Sequence, residues 1–149
     1  MTSGSGLFEE YGACHRDRRN LICHEIGIPL IVLGIVALLR LIVLTGPNVN
    51  FALLAVIALS VYYLTLGYEV RIAAAIAIVG LIALYLIAAY VSWPFAIGAF
   101  VAGWVFQFVG HAHEGKAPAF LTNLLHLLVG PLWVASHLVP TSASSSSAR

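Results

Sequence analysis

Apolar residues run almost unbroken through this chain, and the polar positions that interrupt them are of two kinds: turn formers between the runs and a few isolated side chains within them. About 20 apolar residues of helix cross a bilayer, and the turn formers divide the chain into five stretches near that length. The first spans about Leu21 to Leu44 and ends at "TGPN"; the second spans about Phe51 to Leu66 and stops at "GYEVR". The third covers about Ile72 to Val91, before "SWP"; the fourth about Phe95 to Gly110; the fifth about Phe120 to Val139, before "PTSASSSSAR". Several are short for a full crossing, the second and fifth above all, which allows tilt, re-entrant geometry or local thinning of the bilayer. The pattern predicts an all-α integral membrane helical bundle of about five hydrophobic helices. One transmembrane helical domain is expected over residues 1–140, with a disordered Ser-rich tail over 141–149. The small residues of "AIGAFVAGWVF" permit close helix packing. Pro29, which has no N–H to give to a helical bond, is expected to kink the first helix.

Composition strengthens the membrane reading. Of 149 residues, 61% are hydrophobic and 9% charged, against about 25% charged in soluble domains. So few charges cannot cover a water-exposed surface. The formal net charge of +1, carried by scattered arginines, offers no basic face for nucleic acid, so that class of partner is set aside. The first apolar run is too long for a signal-peptide core, and the first helix is expected to remain in the mature protein. Positive charge in short loops favours the cytoplasm. Arg16, Arg18 and Arg19 therefore place the N-terminus there, and "GYEVR" and "HAHEGKAPA" follow if every segment crosses, while "TGPNVN" and "SWP" face away uncharged. Arg40, near the far end of the first helix, dissents unless it snorkels to the interface. Cys14 and Cys23 then lie on a reducing side, where a structural disulfide is not expected.

The polar side chains inside the runs fall into stripes, because helix positions three, four or seven apart share a face. Asn20 and His24 form one stripe. Gln107, His111 and Glu114 form another if the fourth helix continues through "GHAHEG", and Asn123, His126 and His137 form a third. His113 points off its stripe, and His137 lies near the opposite membrane interface. An ionisable group at membrane depth must find partners on neighbouring helices and marks a candidate site. The topology puts His15, His24, His111 and Glu114 on one side of the membrane, and several imidazoles beside a carboxylate suit a divalent ion such as iron, zinc or copper. Asn20, Gln107 and Asn123 are candidates to support those ligands or to touch substrate. Two other readings of the same histidines are axial ligands of a haem-binding or electron-transfer bundle, and hydrogen-bonded groups of a non-catalytic membrane scaffold.

Two segments carry a resemblance. "HRDRRNLICHEIGIPLIVL" and "QFVGHAHEGKAPAFLTNLL", the latter followed by "GPLW", resemble the paired signatures of the membrane 2-hydroxy fatty acid dioxygenases related to the yeast enzyme of phytosphingosine breakdown. The resemblance implies an Fe(II)-dependent enzyme of fatty-acid α-oxidation, in a bacterial inner membrane or the endoplasmic reticulum. Such an enzyme cleaves the C1–C2 bond of a long-chain 2-hydroxy fatty acid with O2, leaving an acid one carbon shorter. It points to His15, Asn20 and His24 in the first signature and to Gln107, His111, Glu114, Pro118 and Asn123 in the second. It also implies a slightly longer spacing from that histidine to the glutamate than the one here, and a glutamine in place of His126. On this reading His24, His111 and Glu114 are the expected catalytic residues, and the metal ligands are drawn from His15, His24, His111, Glu114 and His126. A 2-hydroxy carboxylate would chelate the ion while its tail lies in an apolar groove lined by Trp104, Phe106, Phe108 and Trp133. Lys116 and the arginines beside it would draw in the anionic headgroup or sit against acidic lipid.

Overall fold

A computed structural model describes residues 17–46, 48–67, 70–115, 117 and 125–138. Five helices and a two-stranded antiparallel hairpin make up these residues: α1 Arg18–Arg40, β1 Val43–Thr45, β2 Val49–Asn50, α2 Phe51–Thr65, α3 Arg71–Ala88, α4 Trp93–Glu114 and α5 Leu125–His137. The protein is an all-α membrane bundle. α1, α3 and α4 are long and apolar enough to cross a bilayer, and much of the outer surface is large apolar side chains such as Leu64, Val79, Phe95 and Val101. α2 and α5, at 15 and 13 residues, are the short helices that the pattern anticipated.

Local chemistry sets the helix ends. Asp17 caps α1 by accepting the Arg19 N–H at 2.7 Å, and Asn50 caps α2 by accepting the Leu53 N–H at 3.0 Å; each satisfies an amide that the first turn leaves without a helical partner. Pro94 occupies the first turn of α4, where its missing N–H costs nothing. Gly115, at φ 69°, ends that helix in the left-handed region. Two boundaries differ from the hydropathy reading. α1 stops at Arg40, and the apolar residues after it enter the hairpin, because Gly46 takes a positive φ (58°) that turns the chain back. α4 runs on past Gly110 to Glu114, keeping the Gln107–His111–Glu114 stripe on one helix. Pro29 lies inside the unbroken α1.

α1 and α4 form the most extensive helix pair. Gly27 and Gly103 face each other there: a Cβ on Gly103 would meet the Gly27 carbonyl oxygen at 2.7 Å and the Ile31 amide nitrogen at 2.9 Å. Gly34 repeats the arrangement one heptad later against Ala96 and Phe100. Without a hydrophobic driving force between helices in lipid, this close backbone approach supplies the dispersion contacts that hold the pair. α3 contributes a small-residue face, Ala73, Ala74 and Ala77, to the core that includes Leu132 and Ala135 of α5. Tyr63 is buried and donates its hydroxyl to the Leu128 carbonyl at 2.7 Å, joining α2 to α5 in the region that Pro131 disturbs. At the opposite end, the Arg40 guanidinium lies 4.4 Å from the centre of the Tyr85 ring and donates to the Tyr85 carbonyl at 3.4 Å. Asn50 meets the Tyr85 hydroxyl at 3.2 Å.

Candidate functional site

The glycine contact brings two histidines together. His24, 1% exposed, and His111, 6% exposed, have ring centres 4.9 Å apart with planes at 87°. Gly110 permits this approach: a side chain there would collide with Asn20 Oδ1 and come within 2.9 Å of Cys23 Cβ. His24 Nδ1 lies 2.9 Å from the Asn20 carbonyl oxygen, an acceptor only, so Nδ1 carries the proton and the lone pair is left on Nε2. A backbone carbonyl that fixes the tautomer in this way is the usual support of a metal-binding imidazole.

Gln107 and His126 are buried beside this pair, and all four residues line one cavity of about 380 Å³. Gln107 Nε2 is buried with no hydrogen-bond partner among the described residues. Among the described residues the remaining lining is almost entirely aliphatic, with Trp104 the one aromatic side chain outside the histidines. The expected aromatic groove is corrected by this arrangement: Phe106 and Phe108 are exposed on the outer face of α4, and Trp133 is buried behind His24, with ring centres 6.3 Å apart, rather than in the lining.

Glu114 is committed elsewhere through one of its oxygens. Oε2 accepts the Asp17 N–H at 2.7 Å and an Asn20 side-chain N–H at 3.3 Å. A carboxylate at the N-terminus of α1 answers both the open amides and the helix dipole there, and the bond fastens the start of α1 to the end of α4. Glu114→Gln keeps an acceptor for these donors, whereas Glu114→Ala leaves them open. We expect the Gln variant to keep its thermal midpoint in detergent and any metal the wild type holds, and the Ala variant to lose about 1–3 kcal/mol. Loss of metal from the Gln variant in atomic-emission analysis would make Glu114 a ligand instead.

His113 is exposed and bonded through Nδ1 to the Val109 carbonyl at 2.8 Å. His137 is exposed too, packed on Trp133 with ring centres 4.2 Å apart. The third polar stripe is thus divided, with His126 buried in the cavity wall and His137 outside it. His15, Lys116, Pro118 and Asn123, like the tail from 141 onward, lie outside the described residues.

Two imidazoles sharing a cation through bonds of roughly 2.1 Å have ring centres about 4.5–5.3 Å apart for right-angled to tetrahedral coordination. The observed 4.9 Å falls in that range. Among the described residues no three His, Cys, Asp or Glu side chains gather closely enough to hold an ion by themselves, so the pair fits part of a metal site. The same pair does not suit one haem, whose two axial imidazoles lie on opposite faces of the macrocycle; rings at this separation and angle leave no space for a porphyrin between them.

Sequence reasoning missed the aliphatic wall, which includes Ile28, Ile31 and Ile35 of α1. Their three- and four-residue spacing is visible, but nothing in it separates a cavity wall from a lipid face.

No solved structure matches the chain. The 2-hydroxy-palmitic acid dioxygenase MPO1 of Saccharomyces cerevisiae is 30% identical over 132 residues, which cover 87% of this chain and 73% of that protein. A family model described as 2-hydroxy-palmitic acid dioxygenase Mpo1-like matches residues 1–141. With the match running from the first residue past the last described helix, the chain belongs to the Mpo1-like family.

Proposed function

We propose that this chain is an Fe(II)-dependent dioxygenase that cleaves the C1–C2 bond of long-chain 2-hydroxy fatty acids with O2, releasing an acid one carbon shorter. The observation that carries this reading is the His24–His111 pair set in the wall of a largely aliphatic cavity. The activity for which the yeast relative is named supports it. The two imidazoles would hold the ion, His24 through Nε2, with His126 or His15 as the third donor. Iron, when bound, supplies the redox chemistry that joins the 2-hydroxy carboxylate to O2.

The protein's own residues do the rest. The Asn20 carbonyl holds the His24 ring in one tautomer. Gln107 Nε2, buried with no hydrogen-bond partner among the described residues, would give an N–H to the substrate's carboxylate, and the aliphatic wall would keep water from the reacting carbons. Asn20 and Glu114 hold the ends of α1 and α4 in place around the pair. Exposed Arg18, Arg19 and Arg71 at the starts of α1 and α3 support a cytoplasmic side for this end by the positive-inside rule. Lys116, Arg18 and Arg19 would attract the headgroup or anionic lipid, and Asn123 is a candidate to touch substrate.

Detergent-purified protein is expected to contain iron and to convert 2-hydroxypalmitate to pentadecanoate in air but not under argon, as followed by mass spectrometry. Iron-replete protein that yields no shortened acid in air would sink the assignment.

A further inference from the structure

The cavity has a direction. Its polar lining, His24, Gln107, His111 and His126, is confined to the end near the starts of α1 and α5, and from there it follows α1 past Ile28, Ile31, Ile35 and Val36 to Leu39. From His24 to Leu39 is fifteen residues, about 22 Å of helix at ~1.5 Å per residue. At the far end Leu39 and Val36 of α1 come together with Ala55 and Val56 of α2 and Leu81 of α3. One residue beyond Leu39 is Arg40, whose guanidinium lies over Tyr85, with Asn50 on the Tyr85 hydroxyl.

We propose that this cavity is an acyl channel of fixed length, with Leu39, Ala55 and Leu81 as the floor that sets the upper chain length. The proposal rests on the reading of the histidine end as the seat of a 2-hydroxy carboxylate. A zigzag alkyl chain with C–C bonds of ~1.5 Å advances about 1.25 Å per carbon, so a run of about 22 Å holds a chain of roughly 17 carbons. Polar groups at one end only orient the acid, carboxylate at the imidazoles and terminal methyl at the floor. Each methylene seated in the channel gains close packing contacts with the aliphatic wall, and each one beyond the floor gains none and meets a wall.

The test uses the full-length iron-loaded protein in lipid nanodiscs under argon, where the acids bind without turning over. Direct competition among 2-hydroxylauric, 2-hydroxypalmitic and 2-hydroxyarachidic acids is measured for the wild type, Ala55→Trp and Leu39→Ala. Ratios taken against the wild type cancel partition into the lipid. Ala55→Trp is expected to move preference toward 2-hydroxylauric acid by about tenfold or more, and Leu39→Ala to raise 2-hydroxyarachidic relative to 2-hydroxypalmitic acid by a similar factor. Chain-length ratios unchanged in both variants overturn the proposal, as does a wild type that binds the arachidic acid as well as the palmitic one, its tail leaving sideways into lipid. Air is then admitted. Length-selective binding that shifts in the variants, without any shortened product, supports the channel and removes the dioxygenase reading alone.

Discussion

Replacing His111 with alanine is expected, on the iron site proposed above, to strip the protein of iron and to lower turnover of 2-hydroxypalmitate by at least about 100-fold, while His113→Ala, two residues away, leaves both intact. A metal held by few donors does not survive the loss of one, and removing even the groups that only support a ligand typically costs 10–100-fold. The two histidines share a helix and a terminal turn, so a general effect of imidazole loss on α4 would strike them alike. Only His111 is buried against His24; His113 is exposed and bonded back to its own helix. His24→Ala should match His111→Ala. Iron content by atomic emission and initial rates by mass spectrometry check the set, and equal iron in the His111 and His113 variants would show that the pair holds no metal.

Gly103→Val is expected to be the most destabilising single change in the bundle. Its added atoms would begin at a Cβ that already meets Ile31 Cγ1 at 2.6 Å, the Gly27 carbonyl oxygen at 2.7 Å and the Ile31 amide nitrogen at 2.9 Å. Two of those three neighbours are backbone, which cannot rotate away. α1 and α4 must separate, at a cost of about 1–3 kcal/mol or more, and the separation also draws His24 from His111. Gly98→Ala on the same helix has open space around its Cβ and should be neutral or stabilising by up to about 1 kcal/mol. Thermal unfolding in detergent distinguishes the two, and metal content should fall with the melting temperature only for Gly103→Val.

The helices and the polar stripes were legible because they depend on local order. Twenty-residue apolar runs announce themselves, and Asn20 with His24, or Gln107 with His111, declare a face by spacing alone. The first helix was read too far because Leu41 to Leu44 are as apolar as the helix before them, and hydropathy does not register that β-branched Ile42 and Val43 suit a strand leading into a Gly-Pro turn. The cavity was illegible for a reason particular to lipid. In water, a buried leucine differs from an exposed position by its polar neighbours; in a bilayer both surroundings are hydrocarbon, so Ile31 on the cavity wall and Ile26 on the outer face look alike. The bond from Glu114 to Asp17 joins residues 97 apart in sequence, and no periodicity encodes such a pairing. His126 and His137 lie eleven apart, yet only the first is buried, because the third dimension decides which turn of a short helix meets its neighbours.

Three residues of the cavity wall, Ile35, Leu127 and Leu128, are each 40% or more exposed, and the cavity is open along part of its wall. For the acyl channel proposed above, a wall open to the surrounding hydrocarbon would let an acid dissolved in the membrane enter without first being extracted into water, its tail exchanging one oily environment for another. Saturation would then follow the mole fraction of acid in the leaflet rather than its molarity in the medium, so diluting the membrane with inert lipid would slow turnover even with the total amount of acid held constant.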